Sequence, residues 1–344
     1  MKTNLNETWN FPSWLSGFVD GDGCFYISFT KRSANSLAID VKPSFSLTQH
    51  KRSLKCLSDI SHYFNCGGSS TRFDKKNQNY KFEVRSLTDL TDIIIPHFEK
   101  YPLLTDKAND FNKFRYVCNL MKNKWHLNPT GLAIIISTAY SMNATGKRKY
   151  PKSTWLKILF KEKDAPQRKV FSAQTPITYE QFLCLHTTIN SLSFPSWLSG
   201  FVDAEGCFFA HLRESNKKLR LRIDMSFQLD QYENSQICLQ KIKDYFGCGY
   251  IIKRKTKMHS FRVHSYNHLK DKILPHFEKY PLLTWKHNSF IKFLEILHLT
   301  HGKSLSFGDS ITNPQEKDYV IRLIYSMNPS GKRKYPIEYW LNKP

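Results

Sequence analysis

The chain repeats itself, and that constrains its architecture more than any other feature. FPSWLSGFVD occurs identically at 11–20 and 194–203, PHFEKYPLLT at 96–105 and 275–284, and GKRKYP at 146–151 and 331–336. Looser pairs fall between them: YFNCG at 63–67 with YFGCG at 245–249, YSMN at 140–143 and 325–328, Trp155-Leu156 with Trp340-Leu341. Offsets of 183, 179 and then 185 residues make the copies colinear with small insertions. A period this long gives each copy a core of its own and is not a solenoid. The expected organisation is a first half-domain at 1–160, a linker and lead-in helix at 161–193, and a second half-domain at 194–344. The linker starts in the charged KEKDAPQRK at 161–169, and Thr178 with Gln181 has capping-box spacing for the helix.

Within a copy, proline near the start and apolar Trp14, Leu15, Phe18 and Val19 predict a short helix ended by Gly21 and Gly23. CFYISFTK alternates as a strand. AIDVKPSFSLTQ is a second strand, in which Pro43 asks for an edge position or a bulge. RSLKCLSDISHYF is an amphipathic helix, GSSTRFD and YKFEVRS pair across KKNQN, and LTDLTDIIIPHF, 104–123 and 129–142 are helical. The order α-β-β-α-β-β-α-α recurs in the second copy, which makes an α+β protein.

Charge points to the partner. Fifty-one Lys+Arg against 29 Asp+Glu leave +22, which favours polyanions through counterion release and steering; nucleic acid leads, with basicity for solubility as the alternative. No basic start followed by an apolar stretch opens the chain, and no apolar run reaches the ~18 residues of a membrane span, so no membrane partner is expected. The eight cysteines include no CxxC pair, and six are repeat partners, Cys24 with Cys207, Cys56 with Cys238 and Cys66 with Cys248. They read as small buried hydrophobes, not as zinc ligands or disulfides.

The first helix ends in Asp20-Gly21-Asp22-Gly23 in one copy and Asp203-Ala204-Glu205-Gly206 in the other. Small Ser16, Gly17, Ser199 and Gly200 would let two such helices meet backbone to backbone and bring their terminal carboxylates near one another. Carboxylates beside a polyanion call for a divalent cation, and oxygen ligands select Mg²⁺ or Mn²⁺, an arrangement suited to phosphodiester hydrolysis.

LSGFVDGDG (15–23) and LSGFVDAEG (198–206) resemble the LAGLIDADG motif of homing endonucleases and maturases, and the likeness runs from Phe11 to Leu341 through SLTQHKRSLKCL and IPHFEKYPLLTDK. The resemblance implies two pseudo-symmetric αββαββα domains, joined at a paired-helix interface, whose saddle-shaped antiparallel sheets lie in the DNA major groove of a double-stranded target. It makes Asp22 and Glu205 the metal-binding catalytic acids, with Gly21 and Ala204 as further metal positions. Asp20 and Asp203 rank below them, with helix-end hydrogen bonding and interface support as their role. It also assigns a solvent-organising glutamine, matched by Gln49 and Gln231, and a lysine that stabilises charge or tunes the attacking water, matched by Lys107 and Lys286; the alternative for each lysine is an exposed helix residue.

Base readout is expected from one strand face at period two, in phase with the metal acid. That face is Tyr26, Ser28, Thr30, Arg32, Asp40, Lys42, Ser44, Ser46 and Arg72 in the first copy. In the second it is Phe209, His211, Arg213, Arg222, Asp224, Ser226, Gln228 and Arg254, with Tyr26 and Phe209 the weakest members of the two sets. Phe25, Ile27, Phe29, Phe208, Ala210 and Leu212 take the core face. The two copies differ most at the readout positions, so the target is asymmetric, roughly 20 bp if each half follows about one turn. Lys147, Lys149, Lys332 and Lys334 of the GKRKYP blocks are expected on phosphates, with a solvated basic turn as the alternative.

The resulting expectation is a monomeric, Mg²⁺-dependent DNA endonuclease (Mn²⁺ substituting) that promotes intron mobility. It would be encoded in an organelle, mitochondrion before chloroplast, on a composition rich in Lys, Asn, Ile and Phe. The rivals are an intron-RNA maturase on the same scaffold and a repressor that binds DNA without cutting; the retained acids, glutamines and lysines favour the nuclease.

Overall fold

The computed structural model describes residues 8–32, 39–67, 74, 76–143, 146, 148–161, 176–185, 191–214, 221–254, 256–300, 314–328 and 333–342. In chain order the first copy gives α1 (Phe11–Asp22), β1 (Gly23–Lys31), β2 (Ile39–His50), α2 (Leu54–Phe64), β3 (Asn79–Val84), α3 (Leu87–Asp89), α4 (Ile95–Lys100), α5 (Lys107–Lys122), α6 (Pro129–Tyr140) and α7 (Lys152–Lys161). After α8 (Tyr179–Leu185), the second gives α9 (Phe194–Glu205), β4 (Gly206–Glu214), β5 (Leu221–Tyr232), α10 (Gln236–Phe246), β6 (Tyr250–Lys253), β7 (Met258–Val263), α11 (Tyr266–His268), α12 (Leu274–Lys279), α13 (Lys286–Leu299), α14 (Pro314–Met327) and α15 (Ile337–Leu341). Among the described residues no helix is long and apolar enough to cross a membrane. The α+β class expected from the sequence is the one found.

The chain folds as two compact units, Asp22–Leu192 and Ser193–Pro344, and the second also takes in the chain from its start through Gly21, with all of α1 but its last residue. In the Asp22–Leu192 unit the strands run in the order β1-β2-β3, antiparallel throughout, with Tyr26 opposite Ser44 and Gln49 opposite Tyr80. Pro43 stands opposite Ile27 on a stretch of β2 whose other side lies beyond the end of β3, so its missing N–H interrupts no ladder there. The core lies under one sheet face, where Phe25 meets Phe45, Phe98, Phe111 and Phe114 at ring separations of 5.2 to 5.4 Å.

The other unit carries a sheet in the order β4-β5-β7-β6 and the same aromatic centre: Phe208 meets Phe227, Phe277, Phe290 and Phe293 at 5.2 to 5.4 Å. The copies thus keep their cores and vary elsewhere. The expected strand 68–74 of the first copy lies almost wholly outside the described residues; its counterpart is β6.

The helix expected before the second copy is α8, and its capping box is complete: Thr178 N–H donates to Gln181 Oε1 at 2.8 Å and Gln181 N–H to Thr178 Oγ1 at 3.2 Å. Phe182 is buried beside Tyr116, while the Arg115 guanidinium lies 4.9 Å from its ring and pairs with Glu99 at 2.8 Å. Cys24, Cys56, Cys66, Cys118, Cys207, Cys238 and Cys248 are free; the expected burial holds for Cys56, Cys118, Cys238 and Cys248, whereas Cys24 is exposed and Cys66 and Cys207 are half-buried.

Candidate nuclease site and nucleic-acid face

Most of α1 and all of α9 lie in one unit, and they meet backbone to backbone. A Cβ on Gly17 would stand 1.8 Å from Trp197 O, and one on Gly200 would stand 1.8 Å from Trp14 O. At this distance no side chain fits, so the small residues of FPSWLSGFVD are a steric requirement. The indole N–H of Trp14 donates to Asp203 Oδ2 at 2.9 Å and that of Trp197 to Asp20 Oδ2 at 2.8 Å. At the N-terminal ends, Asn10 N–H donates to Ser196 Oγ at 3.0 Å and Ser193 N–H to Ser13 Oγ at 2.9 Å.

Asp203 is 4 % exposed and also accepts from Leu283 N–H (2.7 Å), Thr284 N–H (3.1 Å) and Thr284 Oγ1 (2.5 Å). Burial pushes this carboxyl above its usual range, against the pull of those hydrogen bonds and of Lys286. The repeated PHFEKYPLLT block is explained by this clamp. Its Leu-Thr end holds the helix-end acid, and its histidine, His276, touches Ser199 Oγ through Nε2 at 3.2 Å and Tyr245 Oη through Nδ1 at 2.9 Å. Ser199 gives its own hydroxyl proton to Tyr280 O at 2.7 Å, so His276 donates from Nε2 and accepts at Nδ1, a neutral tautomer.

Two residues beyond the buried acids the situation reverses. Asp22 and Glu205 end α1 and α9 with exposed side chains. The Asp22 carboxylate accepts from the Gln49 side-chain amide. Lys107 Nζ donates to Gly23 O at 2.6 Å; Lys286 Nζ donates to Val202 O at 2.8 Å and Ala204 O at 3.2 Å. Each half-buried lysine is therefore fixed at the end of its motif helix, where the orphan carbonyls attract a cation; neither is a freely exposed helix residue. Gln231, the counterpart of Gln49, makes no side-chain hydrogen bond among the described residues. Among those residues no three His, Cys, Asp or Glu cluster. The available donors are carboxylate and carbonyl oxygens, which suits a hard divalent ion that keeps water and phosphate among its ligands.

The expected readout residues that lie on described strands share one face of each sheet. In the first, Tyr26, Ser28 and Thr30 stand opposite Ser44, Lys42 and Asp40. In the second, Phe209, His211 and Arg213 stand opposite Ser226, Asp224 and Arg222, and Gln228 opposite Arg262. Ser46 and Ser226 are nearly covered, at 7 % and 8 % exposure. Acids on these faces are bracketed by basic side chains. Asp40 lies 3.6 Å from Arg32 and 3.8 Å from Lys42; Asp224 lies 2.9 Å from Arg213 and 3.5 Å from His211. Such exposed pairs add little stability, but they limit where the long side chains point.

The sequence reading passed over part of this face. On β3, Lys81 and Glu83 pair at 2.7 Å, and Arg85 meets Glu83 at 2.8 Å. Burial works to raise the Glu83 carboxyl, yet the two cations hold it below its usual range. Asp230 accepts from Gln228 Nε2 at 2.8 Å on each oxygen and from the Ser260 hydroxyl, with Arg254 at 3.4 Å. The alternation of NYKFEV and MHSFRV, apolar Phe82, Val84, Phe261 and Val263 against polar neighbours, carried the signal for these strands. Arg72, Lys147 and Lys332 lie outside the described residues; Lys149 and Lys334 are exposed, 5.3 and 5.0 Å from the Tyr150 and Tyr335 rings.

Comparison with known proteins agrees with this arrangement. The family model described as LAGLIDADG endonuclease matches residues 15–118 and 198–297. "Probable intron-encoded endonuclease 3" of Neurospora crassa is 29% identical over 304 residues, 88% of this chain and 53% of that protein. "Probable intron-encoded endonuclease aI3" of Dictyostelium citrinum is 37% identical over 294 residues, 83% of this chain and 95% of that protein. The chain spans about half the length of the Neurospora relative and nearly all of the Dictyostelium one. Among solved structures, I-SmaMI bound to uncleaved DNA target in the presence of calcium ions superposes with a TM-score of 0.74 at 27% identity, covering 92% of this chain and 98% of that one. With the model matched twice, once over each motif helix and the elements that follow it, the chain belongs to the LAGLIDADG endonuclease family.

Proposed function

We propose that the protein is a site-specific homing endonuclease that makes a double-strand break in a long, asymmetric DNA duplex and so promotes mobility of the intron that encodes it. The observation that carries this reading is the duplicated helix end: a buried, clamped acid followed by an exposed one, Asp22 or Glu205, beside a lysine tied to the helix-end carbonyls. Burying the first acid fixes the second in position and leaves its oxygens open.

In this reading Asp22 and Glu205, with the carbonyls of Gly21 and Ala204, hold divalent ions, Mg²⁺ by preference with Mn²⁺ as substitute. A bound ion there supplies Lewis-acid activation of water and stabilisation of the leaving oxygen. The Gln49 amide orients the Asp22 carboxylate, and Gln231 serves Glu205. The Lys107 and Lys286 ammonium groups oppose the charge that develops on the attacked phosphate. Base edges are read by the polar strand faces, whose residues differ between the copies, and the lysines of the two GKRKYP blocks contact phosphate. The protein acts as a monomer of two half-domains joined by the 161–193 segment, in an organelle and, more narrowly, in a mitochondrion. The intron-encoded relatives and an amino-acid composition rich in Lys, Asn, Ile and Phe support that setting.

The test is incubation with Mg²⁺ and a duplex carrying the uninterrupted insertion site. A double-strand break that disappears on chelation supports the reading. Tight duplex binding without a break contradicts it, and preferential binding of the intron transcript assigns the scaffold to RNA.

A further inference from the structure

The two GKRKYP arginines are sequence equivalents in different surroundings. In the first copy Arg148 is locked. Its Nη1 donates to Ile27 O at 2.8 Å, its Nη2 to Ala139 O at 2.5 Å, and its guanidinium lies 4.8 Å from the Tyr26 ring and 4.6 Å from that of Tyr140. The outer edge of β1 is covered by this arginine and by Asn143, whose Nδ2 donates to Phe25 O at 2.9 Å.

In the second copy half of the lock is gone. Asn328 still donates to Phe208 O at 3.1 Å, Arg333 Nη2 still donates to Ile324 O at 2.6 Å, and the guanidinium still lies 4.4 Å from the Tyr325 ring. Among the described residues, however, Arg333 makes no second hydrogen bond. Ala210 O, the counterpart of Ile27 O, does not receive it, and Phe209, the counterpart of Tyr26, does not stack on it. The neighbouring side chains have shrunk as well. Phe29, which packs 5.6 Å from Trp155, is replaced by Leu212, and Ile27 by Ala210.

Beside these smaller side chains, on the edge of β4, lies a cavity of about 410 Å³ lined by Phe209, His211, Asn328, Arg333, Lys334 and Trp340 with their neighbours. Its charged or titratable lining is Arg333, Lys334, His211, Tyr325 and Tyr335, with no carboxylate; behind the lining, Asp224 lies 3.5 Å from His211, and Glu214 accepts from Tyr339, which stacks on Tyr335. Phe209 and His211 belong to the readout face, so the cavity opens where a duplex lying on that face would carry its backbone past the sheet edge.

We propose that this cavity is a phosphodiester subsite, present in the second copy only, in which Arg333 anchors the DNA backbone while Arg148 is a purely structural lock. The inference rests on the nuclease reading. A guanidinium with one edge engaged and one open presents a donor to an anion, and the cationic, acid-free lining favours phosphate over a base edge. The volume admits a phosphate with its sugar, while in the first copy Arg148 already commits both of its outer nitrogens to backbone carbonyls.

The test compares R333Q and R148Q with the wild-type protein in duplex binding across a salt series, with thermal melting of each. R333Q is expected to bind about five- to tenfold more weakly at low salt and to lower the slope of log K against log salt by about 1, with a smaller drop in melting than R148Q because only one hydrogen bond and one ring contact are lost. R148Q is expected to melt earlier and to keep the wild-type slope. A wild-type slope in R333Q, with steep salt dependence in the parent, overturns the subsite alone. A wild-type protein with no salt-dependent duplex binding overturns the nuclease reading with it. Titration with inorganic phosphate and with dAMP, followed by tryptophan fluorescence because Trp340 lines the cavity, separates the sources of phosphate. Saturable quenching without duplex at micromolar concentration, lost in R333Q, would make this a free-anion site and overturn the duplex assignment; no such quenching supports it.

Discussion

The Trp14 indole donates its N–H to the Asp203 carboxylate at 2.9 Å, across 189 positions of sequence. With the reciprocal Trp197 to Asp20 bond at 2.8 Å, the relationship explains why FPSWLSGFVD occurs twice unchanged. Each tryptophan completes the hydrogen bonding of the acid at the far end of the other helix, so the motif must fit a copy of itself. Trp14→Phe keeps a ring in place and removes one of four donors to a buried carboxylate. Urea denaturation should show a loss of about 1–3 kcal/mol.

Gly17 and Gly200 tolerate nothing larger. Gly17→Ala places a methyl carbon 1.8 Å from Trp197 O, and backbone on both sides cannot yield locally. The variant should lose more than about 3 kcal/mol, well beyond an ordinary surface substitution. Thermal melting of G17A and G200A, with an exposed-site alanine as control, checks this; a melting point within about 2 °C of wild type would contradict the packing described.

Stability should fall in mild acid. Burial pushes His97 and His276 down from 6.5 to about 3, so both stay neutral in the folded protein while their unfolded forms take up protons below about 6.5. The unfolded state therefore binds more protons in that window, and stability present above pH 6.5 drains away as pH falls toward 3. The slope is about 1.4 kcal/mol per pH unit for each fully titrating histidine. Urea midpoints between pH 7 and pH 5 measure it, and His276→Gln should flatten the dependence.

Lys107 and Lys286 should affect the rate more than binding. Each ammonium is fixed on a backbone carbonyl at or just past the end of its motif helix, Gly23 O at 2.6 Å and Val202 O at 2.8 Å, and not on the readout face. Lys107→Met and Lys286→Met should slow single-turnover cleavage by about 10²–10³-fold, as loss of one transition-state donor does, with duplex affinity nearly unchanged. A matching loss of affinity would instead make them backbone contacts.

Much of this architecture was legible because the repeat supplied two readings of each element. The strand phase followed from alternation: Phe25 and Ile27 are buried and Cys24 is exposed. Thr178 and Gln181 announced α8, and position two residues before Asp22 and Glu205, the proposed metal acids, marked Asp20 and Asp203 as helix-end residues. What stayed hidden depends on contacts that no spacing encodes. Arg148 and Arg333 sit in a basic run that reads as a phosphate contact, yet Arg148 turns inward because Tyr26 and Tyr140 flank it. The Asp230 cluster on the readout face is unique to the second copy, since Thr48 stands at the equivalent place in the first. The short strands β3 and β7 carried their polar residues openly, but only two positions of each showed the apolar alternation that identifies a face.

The central claim, that Asp22 and Glu205 are the catalytic acids and each serves one strand, is tested most directly by strand-resolved cleavage. A duplex carrying the insertion site is labelled differently on its two strands and incubated with Asp22→Asn, Glu205→Gln and the double variant. Both acids are exposed, so neither change should disturb the fold. The predicted result is a nick on one strand with the first variant, a nick on the opposite strand with the second, and intact DNA with both. Wild-type double-strand cleavage by either single variant would contradict the assignment.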